Sequence, residues 1–421
     1  MKSIASFLLA TLGACSLSAA VAELNPATGI IETPDGTFTA RDFTIVDGFR
    51  LELLHVVPTG GGSWFPMTWD SRGRLIVSSH NSEQMYRLTI PSLGSNAPVR
   101  VEPIDLPIGS AHGLLYAFDT LFVTVNNGQN NRSGVYRVTD TDGDDRFDQI
   151  RVIRNINGGG QHGQHTLKMN PDGRHISLIV GDDVPVTTLS NSRVPQIWGE
   201  DDLIRTVANN FNNYQLAPQA WIALFDPTDT QGNDWTLWAM GMRNPVDHAY
   251  NKDGEMFTYD ADHELDMGDP WYRPTAVHHV TSGSDFGFRL RGSKHPFYYA
   301  DYHAPLAIIG AGSPTGNTFG TGTKFPARYQ DAFFINDSSY GNVWAIHMTP
   351  QGSTYQASVA PFVSGRPFGV YGSLANPADG TLLLTTGSAL YRVSYGGSES
   401  TQPTQPDQIY ADRRELRRSL E

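Results

Sequence analysis

The residue types best suited to chemistry in this chain are concentrated in one acidic stretch. Asp260, Asp262, Glu264 and Asp266 occupy every second position after the strand-like run Met256–Tyr259. Side chains alternate between the two faces of a strand, so the four carboxylates would share one side if the strand continues. Carboxylates packed together repel one another unless a hard cation lies among them, and oxygen ligands favour Ca²⁺ over zinc or copper. We therefore predict a calcium site here, with a solvated acidic loop as the alternative.

A second acidic run has the spacing of half a calcium loop. In the segment DTDGDDRFD, Asp140, Asp142 and Asp144 alternate with other residues and a glycine lies between them. The segment lacks the bidentate glutamate that closes an EF-hand loop. We predict either a structural Ca²⁺ site that rigidifies a surface loop or a bare acidic hairpin.

A glycine-rich segment carries the candidate base. Three glycines precede His162 and would allow the backbone to approach a ligand closely. The unperturbed pKa of histidine lies near neutrality, so His162 is a candidate general base and Asp182 could orient its ring. The alternative for both His162 and His165 is an ordinary hydrogen-bonded loop histidine, and for Asp182 it is ordinary turn chemistry.

Arg243 and Asn244 form a candidate ligand-binding pair. The guanidinium presents a planar fork that pairs with carboxylates, and the amide offers both a donor and an acceptor. Pro245 fixes an extended backbone before it, which would aim both side chains. The pair suits a polyanionic ligand rich in carbonyl groups, and the alternative is a structural Asn-Pro turn.

The elements that must position these residues are repeated hairpins. Strand, Asp-Gly-type turn and strand recur along the chain, often followed by a third strand with a Tyr-Arg or Trp-Ala pattern. Six repeats of roughly 50 to 80 residues favour an all-β, six-bladed β-propeller over a sandwich. The six segments are Met67–Ser79, His112–Asn126, His165–Asp182, Asn244–Asp260, Thr323–Ser338 and Leu374–Gly387.

The ends of the chain differ from this pattern. Lys2, an apolar run and Ala20-Val21-Ala22 predict a signal peptide over residues 1–22, with the propeller over 23–397. The alternative is a lipoprotein box that ends in Cys15, which would leave this residue lipidated. Either product is exported, to the periplasm or the medium. Residues 398–421 are predicted to form a polar linker and a short basic helical tail.

Bulk properties exclude several functions. Cys15 is the only cysteine, so a mature chain starting at Glu23 has no disulfide, thiolate nucleophile or covalent c-type haem. The formal net charge of −13 argues against nucleic acid as a partner and suits neutral or cationic ligands. No apolar run after the signal is long enough to cross a bilayer, so no transmembrane segment is expected.

Four groups of segments are informative when taken together. They are HGQHTLKMNPDG with the later GDD, GMRNPVDHAYNKDGEMF, SDFGFR, and SPTGNTFGTGTKFPARYQDAFFINDSSYGNVWAI. As a set they resemble the six-bladed propellers of soluble quinoprotein glucose dehydrogenase and L-sorbosone dehydrogenase. The resemblance is nearer still to the propeller module of large exported dehydrogenase-like proteins that often carry a haem-binding domain. It extends over about residues 40 to 395.

The resemblance implies a function. It implies pyrroloquinoline quinone (PQQ) held over the axial channel with Ca²⁺, and hydride transfer from a sugar hydroxyl to the quinone. His162 would be the base and Asp182 its supporting carboxylate. The family's quinone-binding pair corresponds to Arg243 and Asn244, and a further cofactor-binding arginine is approximated by Arg366. The calcium stretch would include Asp260 and Asp262. An external electron acceptor, for example a cytochrome, would complete the reaction.

The chain also departs from this family. Ser338–Gly341 stands where the family has a cofactor-binding lysine, and Ser63–Pro66 contains no counterpart of a first-blade glutamine. Fewer cations weaken the binding of a tricarboxylate. Two other functions therefore stay open: a propeller without catalysis that binds carbohydrate or protein, and a calcium-dependent hydrolase of the lactonase type.

Overall fold

The computed structural model consists almost entirely of β-strands. It describes residues 23–25, 30–33, 36–39, 43–58, 60–79, 84–126, 133–186, 189–195, 220–229, 233–266, 271–289, 293–294, 299–300, 302–365, 369–404 and 408–420. The predicted signal peptide, Cys15 and Arg366 lie outside these residues. In the described part, the helices are α1 (Ala327–Gln330) and α2 (Gln408–Leu420).

Five strands precede the first blade. The strands β1 (Glu23–Asn25), β2 (Ile30–Thr33) and β3 (Gly36–Thr39) pair with each other in a separate antiparallel sheet. The strands β4 (Phe43–Ile45) and β5 (Phe49–Val56) instead join the last two blades. The blades therefore begin at Phe43, whereas we placed the start of the propeller at residue 23.

The first three blades each contain four antiparallel strands in chain order from the axis outwards. Blade 3 carries one further short strand on its outer edge, paired in parallel. Blade 1 is formed by β6 (Trp64–Trp69), β7 (Leu75–Ser79), β8 (Met85–Thr89) and β9 (Arg100–Ile104). Blade 2 is formed by β10 (Ala111–Ala117), β11 (Thr120–Val125), β12 (Gly134–Thr139) and β13 (Gln149–Asn155). Blade 3 is formed by β14 (Gln164–Met169), β15 (Ile176–Val180), β16 (Asn191–Ser192), β17 (Ile222–Phe225) and β18 (Trp235–Ala239).

Blade 4 carries two small hairpins between its main strands. It is formed by β19 (His248–Tyr250), β20 (Met256–Asp260), β23 (Thr275–Val280) and β26 (Ala307–Gly310). The hairpins are β21 (His263–Asp266) with β22 (Trp271–Arg273), and β24 (Phe288–Arg289) with β25 (Ser293–Lys294).

Blade 5 includes the early strand β4 and blade 6 includes the early strand β5, which closes the ring. Blade 5 is formed by β27 (Pro314–Phe319), β28 (Phe333–Asp337), β29 (Asn342–Gln351) and β30 (Thr354–Gly365), with β4 outside. Blade 6 is formed by β31 (Gly372–Ala375), β32 (Leu382–Thr385), β33 (Ala389–Tyr395) and the early strand β5. The N-terminal part of the chain therefore supplies the outermost strand of the last blade.

The core lies between blades. Six clusters of buried apolar side chains occur among the described residues, one at each junction of adjacent blades. Alternation along a strand divides its side chains between two junctions. In blade 1, Leu75 and Val77 pack toward blade 6, and Ile76 packs toward blade 2. Each buried aliphatic side chain of this kind contributes about 1.5–3 kcal/mol relative to exposure. The six-bladed propeller predicted from the repeats is confirmed.

The predicted repeats correspond to the inner hairpins of the blades, with one difference. The segment Thr323–Ser338 contains α1 and β28, and the inner strand of blade 5 is the earlier Pro314–Phe319. That strand contains Pro314, Gly316 and Asn317, residue types that do not favour a strand. It is fixed by neighbouring blades, because the Gly316 amide donates to the Tyr371 carbonyl at 2.6 Å and the Asn317 amide to Asp247 at 2.8 Å.

The C-terminal segment packs against the propeller. The Gln330 amide donates to the carbonyls of Thr401 and Gln402 at 3.3 and 3.0 Å. From α2, the Arg413 guanidinium lies 4.5 Å from the centroid of the Tyr355 ring. The tail is helical as expected, and these contacts join both the linker and the tail to the blades. Among the described residues, no helix combines the length and apolar character needed to cross a membrane.

Candidate functional site

The candidate residues gather at one end of the propeller because of strand register. In blade 3, Gln164 of β14 pairs with Val180 of β15, so residues 162 and 182 lie beside each other beyond the open end of the hairpin. In blade 4, His248 pairs with Thr258, which places residues 243–244 beside residues 260–262. Blade 5 places 311–313 beside 338–340 in the same way. We call this end of the propeller the site end.

A cavity of about 510 Å³ opens between blades 3, 4 and 5 at the site end. This volume lies within the range of about 300–1,000 Å³ that is usual for ligand pockets. Its lining is mostly polar and includes residues from the loops of all three blades. The lining residues are Gln161, His162, Asp183, Arg243, Asn244, Ala261, Asp262, Glu264, Ala311, Gly312, Ser313, Pro314, Ser339 and Tyr340.

His162 and Asp182 form a hydrogen-bonded pair in the cavity wall. His162 Nδ1 lies 2.5 Å from Asp182 Oδ1. The histidine side chain is 15% exposed and that of the aspartate 2%. A carboxylate accepts hydrogen bonds, so the proton of the neutral imidazole lies on Nδ1 and the basic lone pair on Nε2. The structure thus brings together the two residues that the sequence suggested as base and orienting carboxylate.

Backbone hydrogen bonds tie this pair to the neighbouring loop of blade 4. The Asp182 amide donates to the Arg243 carbonyl at 2.9 Å, and the Asp183 amide donates to the His162 carbonyl at 3.1 Å. Gly181 lies where the loop of Asp182 passes the loop of His162, and an added Cβ there would lie 2.5 Å from the His162 carbonyl oxygen. The loop of His162, the loop of Asp182 and Asp183, and the loop of Arg243 are therefore joined by backbone hydrogen bonds.

Gly158, the first of the three glycines before His162, packs against the protein's own backbone. Gly158 has φ +107°, and an added Cβ would lie 2.5 Å from the Asp183 carbonyl oxygen. We expected this segment to approach a ligand closely. Its observed close approach is to the loop that carries Asp182 and Asp183, so the glycine contributes to the position of the pair rather than to a ligand contact.

Arg243 is held by the β21 hairpin. Its NH1 group donates to the Asp262 carbonyl at 2.6 Å and lies 3.6 Å from Asp262 Oδ1. Its NH2 group lies 2.9 Å from Glu264 Oε2. The arginine side chain is 5% exposed and that of Glu264 is 44% exposed. The buried Nε has no hydrogen-bond partner in the described part of the chain.

Asp260 holds the backbone of the site. Its side chain is fully buried and accepts hydrogen bonds from the amides of Arg243 at 3.1 Å and of Asn244 and Ala261 at 2.9 Å each. Asp337 ends the equivalent strand of blade 5 and likewise accepts from loop amides, at 2.7 Å from Ser313. Strand-terminal aspartates thus order the loops of two neighbouring blades.

The expected row of four carboxylates is interrupted. Strand β20 ends at Asp260, and a new hairpin begins at His263, so the alternation of one strand does not run through these residues. Asp260 faces backbone amides, whereas Asp262 and Glu264 contact Arg243. Asp266 pairs with Trp271 in the backbone register of the hairpin. The shared calcium site of all four stays a prediction.

Asn244 is oriented by a buried histidine. Its Oδ1 lies 2.8 Å from His165 Nε2, and its Nδ2 donates to the Gln161 carbonyl at 3.2 Å. Burial lowers the pKa of His165 to about 4, so its ring is neutral near pH 7. An amide oxygen only accepts, so the His165 proton lies on Nε2. Its Nδ1 lies 3.3 Å from His112 Nδ1.

The cavity is acidic. Burial, together with the neighbouring Asp182, raises the pKa of Asp183 to about 6. Burial also raises the pKa of the Asp262 carboxyl above its usual range. Among the described residues that line the cavity, the carboxyl groups of Asp183, Asp262 and Glu264 outnumber the guanidinium of Arg243. Such a cavity attracts cations and repels free anions.

The second predicted calcium loop lies between β12 and β13 in blade 2. Asp140, Asp142 and Asp148 each place a carboxylate oxygen within 4.8 Å of the others. The predicted third member, Asp144, accepts a hydrogen bond from the Arg146 amide instead, at 2.8 Å. The structural calcium site stays a prediction.

The sequence did not indicate several residues of the site. Asp183 lines the cavity directly after Asp182, and the doubled aspartate in GDD was the available signal. Ser339 and Tyr340 line it where the family resemblance implied a lysine. Tyr272 of the unexpected hairpin donates its hydroxyl to Asp262 Oδ2 at 2.9 Å, and no local pattern pointed to it.

Comparison with solved structures identifies the fold. The calcium structure of a Carbohydrate-Active Enzymes Family AA12 protein from Trichoderma reesei aligns with a TM-score of 0.60 and 14% identity, over 85% of this chain and 98% of that one. The PQQ-bound aldose sugar dehydrogenase from Streptomyces coelicolor aligns with a TM-score of 0.56 and 14% identity, over 83% and 99%. The chain has the fold of the PQQ-dependent sugar dehydrogenases.

A third structure with this dehydrogenase fold is the holo form of the pyranose dehydrogenase PQQ domain from Coprinopsis cinerea. It aligns with a TM-score of 0.57 and 12% identity, over 84% of this chain and 97% of that one. No family model matches the sequence, and no curated protein is similar to it at a significant level. The similarity to these three proteins is therefore one of fold.

The cavity residues fit PQQ when a divalent cation accompanies it. Arg243 presents a buried guanidinium whose Nε has no partner in the described part of the chain, which suits a carboxylate ligand. The carboxylates of Asp183, Asp262 and Glu264 are oxygen donors of the kind that Ca²⁺ prefers. Without a cation, three carboxylates facing one guanidinium would repel a tricarboxylate.

Proposed function

We propose that this protein is an exported dehydrogenase of sugars or other polyols that works with PQQ and Ca²⁺ and passes electrons to an external acceptor such as a cytochrome. One observation carries the proposal: a His162–Asp182 pair at 2.5 Å lies in the wall of a cavity that Arg243 also lines. The fold supports the same activity, since dehydrogenases of this fold bind PQQ.

His162 would remove the proton of the substrate hydroxyl. Its Nε2 carries the basic lone pair, because Nδ1 is engaged with Asp182. The buried carboxylate of Asp182 would stabilise the imidazolium that forms. When bound, PQQ supplies the acceptor for the hydride that leaves the carbon bearing this hydroxyl.

The remaining residues would bind and orient ligands. Arg243 would pair with an anionic group, and Asn244, fixed by His165, would present its amide at a constant angle. Asp262 and Glu264 would hold the calcium ion. The acidic lining would favour neutral or cationic sugars over sugar acids.

The test compares His162→Ala with a matched pair elsewhere in the same blade. His175 Nδ1 also lies 2.5 Å from an aspartate, Asp172, but in the turn at the opposite end of the inner hairpin. We expect His162→Ala to lower dye reduction with PQQ, Ca²⁺ and an aldose panel by about 10²–10⁴-fold. His175→Ala should retain the wild-type rate. A full rate in His162→Ala would refute the assignment.

A calcium-dependent hydrolase is the second candidate. The excess of cavity carboxylates over cations, and the presence of Ser339 and Tyr340 where a lysine was expected, favour it. Hydrolysis of a sugar lactone with Ca²⁺ alone, measured by product analysis, would support this function. Sugar-dependent dye reduction that requires PQQ would support the dehydrogenase instead.

A further inference from the structure

The ion pair between Glu264 and Arg243 occupies the place where an anionic ligand would bind. Glu264 Oε2 lies 2.9 Å from Arg243 NH2, and the second terminal nitrogen donates to the Asp262 carbonyl at 2.6 Å. Both terminal nitrogens of the fork are thus engaged by the protein itself. The guanidinium keeps further N–H donors, among them the buried Nε, so a ligand carboxylate can approach it, but it does so in competition with the charge of Glu264.

Glu264 is the contact that can be released. Its side chain is 44% exposed, whereas that of Arg243 is 5% exposed. The Asp262 carbonyl belongs to the backbone next to Ala261, whose amide is held by the buried Asp260 carboxylate. The exposed carboxylate of Glu264 can rotate into solvent, where water replaces the guanidinium as its partner. The buried guanidinium and the backbone carbonyl cannot move so easily.

We propose that Glu264 acts as an internal competitor that makes binding of the anionic cofactor depend on a prior cation. In the free protein, Glu264 neutralises Arg243 and adds a negative charge to a cavity already lined by Asp183 and Asp262. A divalent cation in the cavity gives Glu264 another partner and leaves Arg243 open to a ligand carboxylate. Cation and anion then strengthen each other's binding by the same factor.

This inference deepens the proposed function and rests on it for the identity of the anion. The probes are PQQ and benzene-1,3,5-tricarboxylate, which carries the same number of carboxylates but has no quinone. Each is titrated calorimetrically into metal-stripped protein, with and without saturating Ca²⁺. The variants are Glu264→Gln and Glu264→Ala.

The control variant is Glu52→Gln. Glu52 is 43% exposed and lies 3.3 Å from the fully buried Arg392 in blade 6, so it reproduces the pair away from the cavity. We expect Glu264→Gln to bind both anions about tenfold more tightly without calcium, a change equivalent to ~1.4 kcal/mol. The gain on adding calcium should shrink by the same factor. Glu52→Gln should behave as wild type.

The outcomes separate the inference from the proposed function. If Glu264→Gln and Glu264→Ala leave the calcium-free affinities unchanged or weaker, the inference is wrong, even where PQQ supports sugar oxidation. If both anions show the calcium coupling and its loss in Glu264→Gln, but PQQ supports no sugar oxidation, the inference stands and the dehydrogenase does not. If wild type binds neither anion at saturating calcium, both are overturned.

Discussion

Replacing Asp260 would separate a structural role from a calcium-binding role. The sequence placed this residue first in a row of calcium ligands, whereas its carboxylate accepts hydrogen bonds from the amides of Arg243, Asn244 and Ala261. In Asp260→Ala, these three donors lose their acceptor. In Asp260→Asn, one oxygen remains, but an amide NH₂ group replaces the other oxygen that faces the Arg243 amide.

The size of the effect follows from the number of donors. An unsatisfied buried donor costs about 1–3 kcal/mol, so three would cost about 3–9 kcal/mol. Water from the adjacent cavity can reach part of this loop, so we expect about 3–5 kcal/mol for Asp260→Ala. Asp260→Asn keeps an acceptor and should cost about 1–2 kcal/mol. Either loss is a large fraction of the ~5–15 kcal/mol by which domains are stable.

The assay is urea unfolding followed by tryptophan fluorescence, in EDTA and in Ca²⁺, together with calcium titration of the folded protein. Asp262→Asn is the control, because the Asp262 side chain is 16% exposed and lies at the cavity wall. A structural Asp260 predicts a loss of stability that is the same in EDTA and Ca²⁺. If Asp260→Asn instead kept its stability in EDTA and lost calcium affinity, our account of this residue would be refuted.

Three further predictions concern other parts of the molecule. Asp183 has a pKa raised to about 6, so it gains its charge between pH 5 and 7, and calcium affinity should rise over that interval in wild type but not in Asp183→Asn. Gly181→Ala should displace His162 from the loop beside it and lower the rate of dye reduction by about 10²-fold, the usual cost of a misplacement of ~1 Å; an unchanged rate would contradict the close packing. Arg413→Ala removes the contact with the Tyr355 ring and should lower the free energy of unfolding by about 1 kcal/mol, measured in urea, without any change in ligand binding at the opposite end of the blades; a loss of ligand binding would contradict that separation.

The inner hairpins were predictable because their signals are local. The turns of blades 3 and 4 carry Asp-Gly, as in Pro171-Asp172-Gly173, and β-rich runs flank them. The inner strand of blade 5 had no such signal. Its position depends on hydrogen bonds to residues about 55–70 positions away in the chain, such as the one from the Asn317 amide to Asp247. The residues near this strand in the sequence give no sign of partners so distant in the chain.

The candidate base was predictable for a similar reason, and the role of the acidic stretch was not. His162 precedes the first strand of one hairpin and Asp182 follows its second strand, so both lie beyond its open end and their proximity follows from its register. The direction of each carboxylate between residues 260 and 266 depends on where β20 stops and the β21 hairpin begins. Acidic residues at alternate positions are compatible with one strand or with two, and only the turn between them decides which.

The charges at the site end explain why the fold alone does not fix the activity. In blades 4 and 5, Asp260 and Asp337 end the second strand and accept hydrogen bonds from backbone amides, whereas in blade 3 Asp182 lies two residues beyond the second strand and accepts from His162. Aspartates at this end of the second strands therefore hold backbone amides in two blades and a histidine side chain in the third. What the cavity binds is then set by the side chains added around this frame. Here they include an exposed glutamate on a buried arginine, an arrangement that makes the entry of an anion depend on the arrival of a cation.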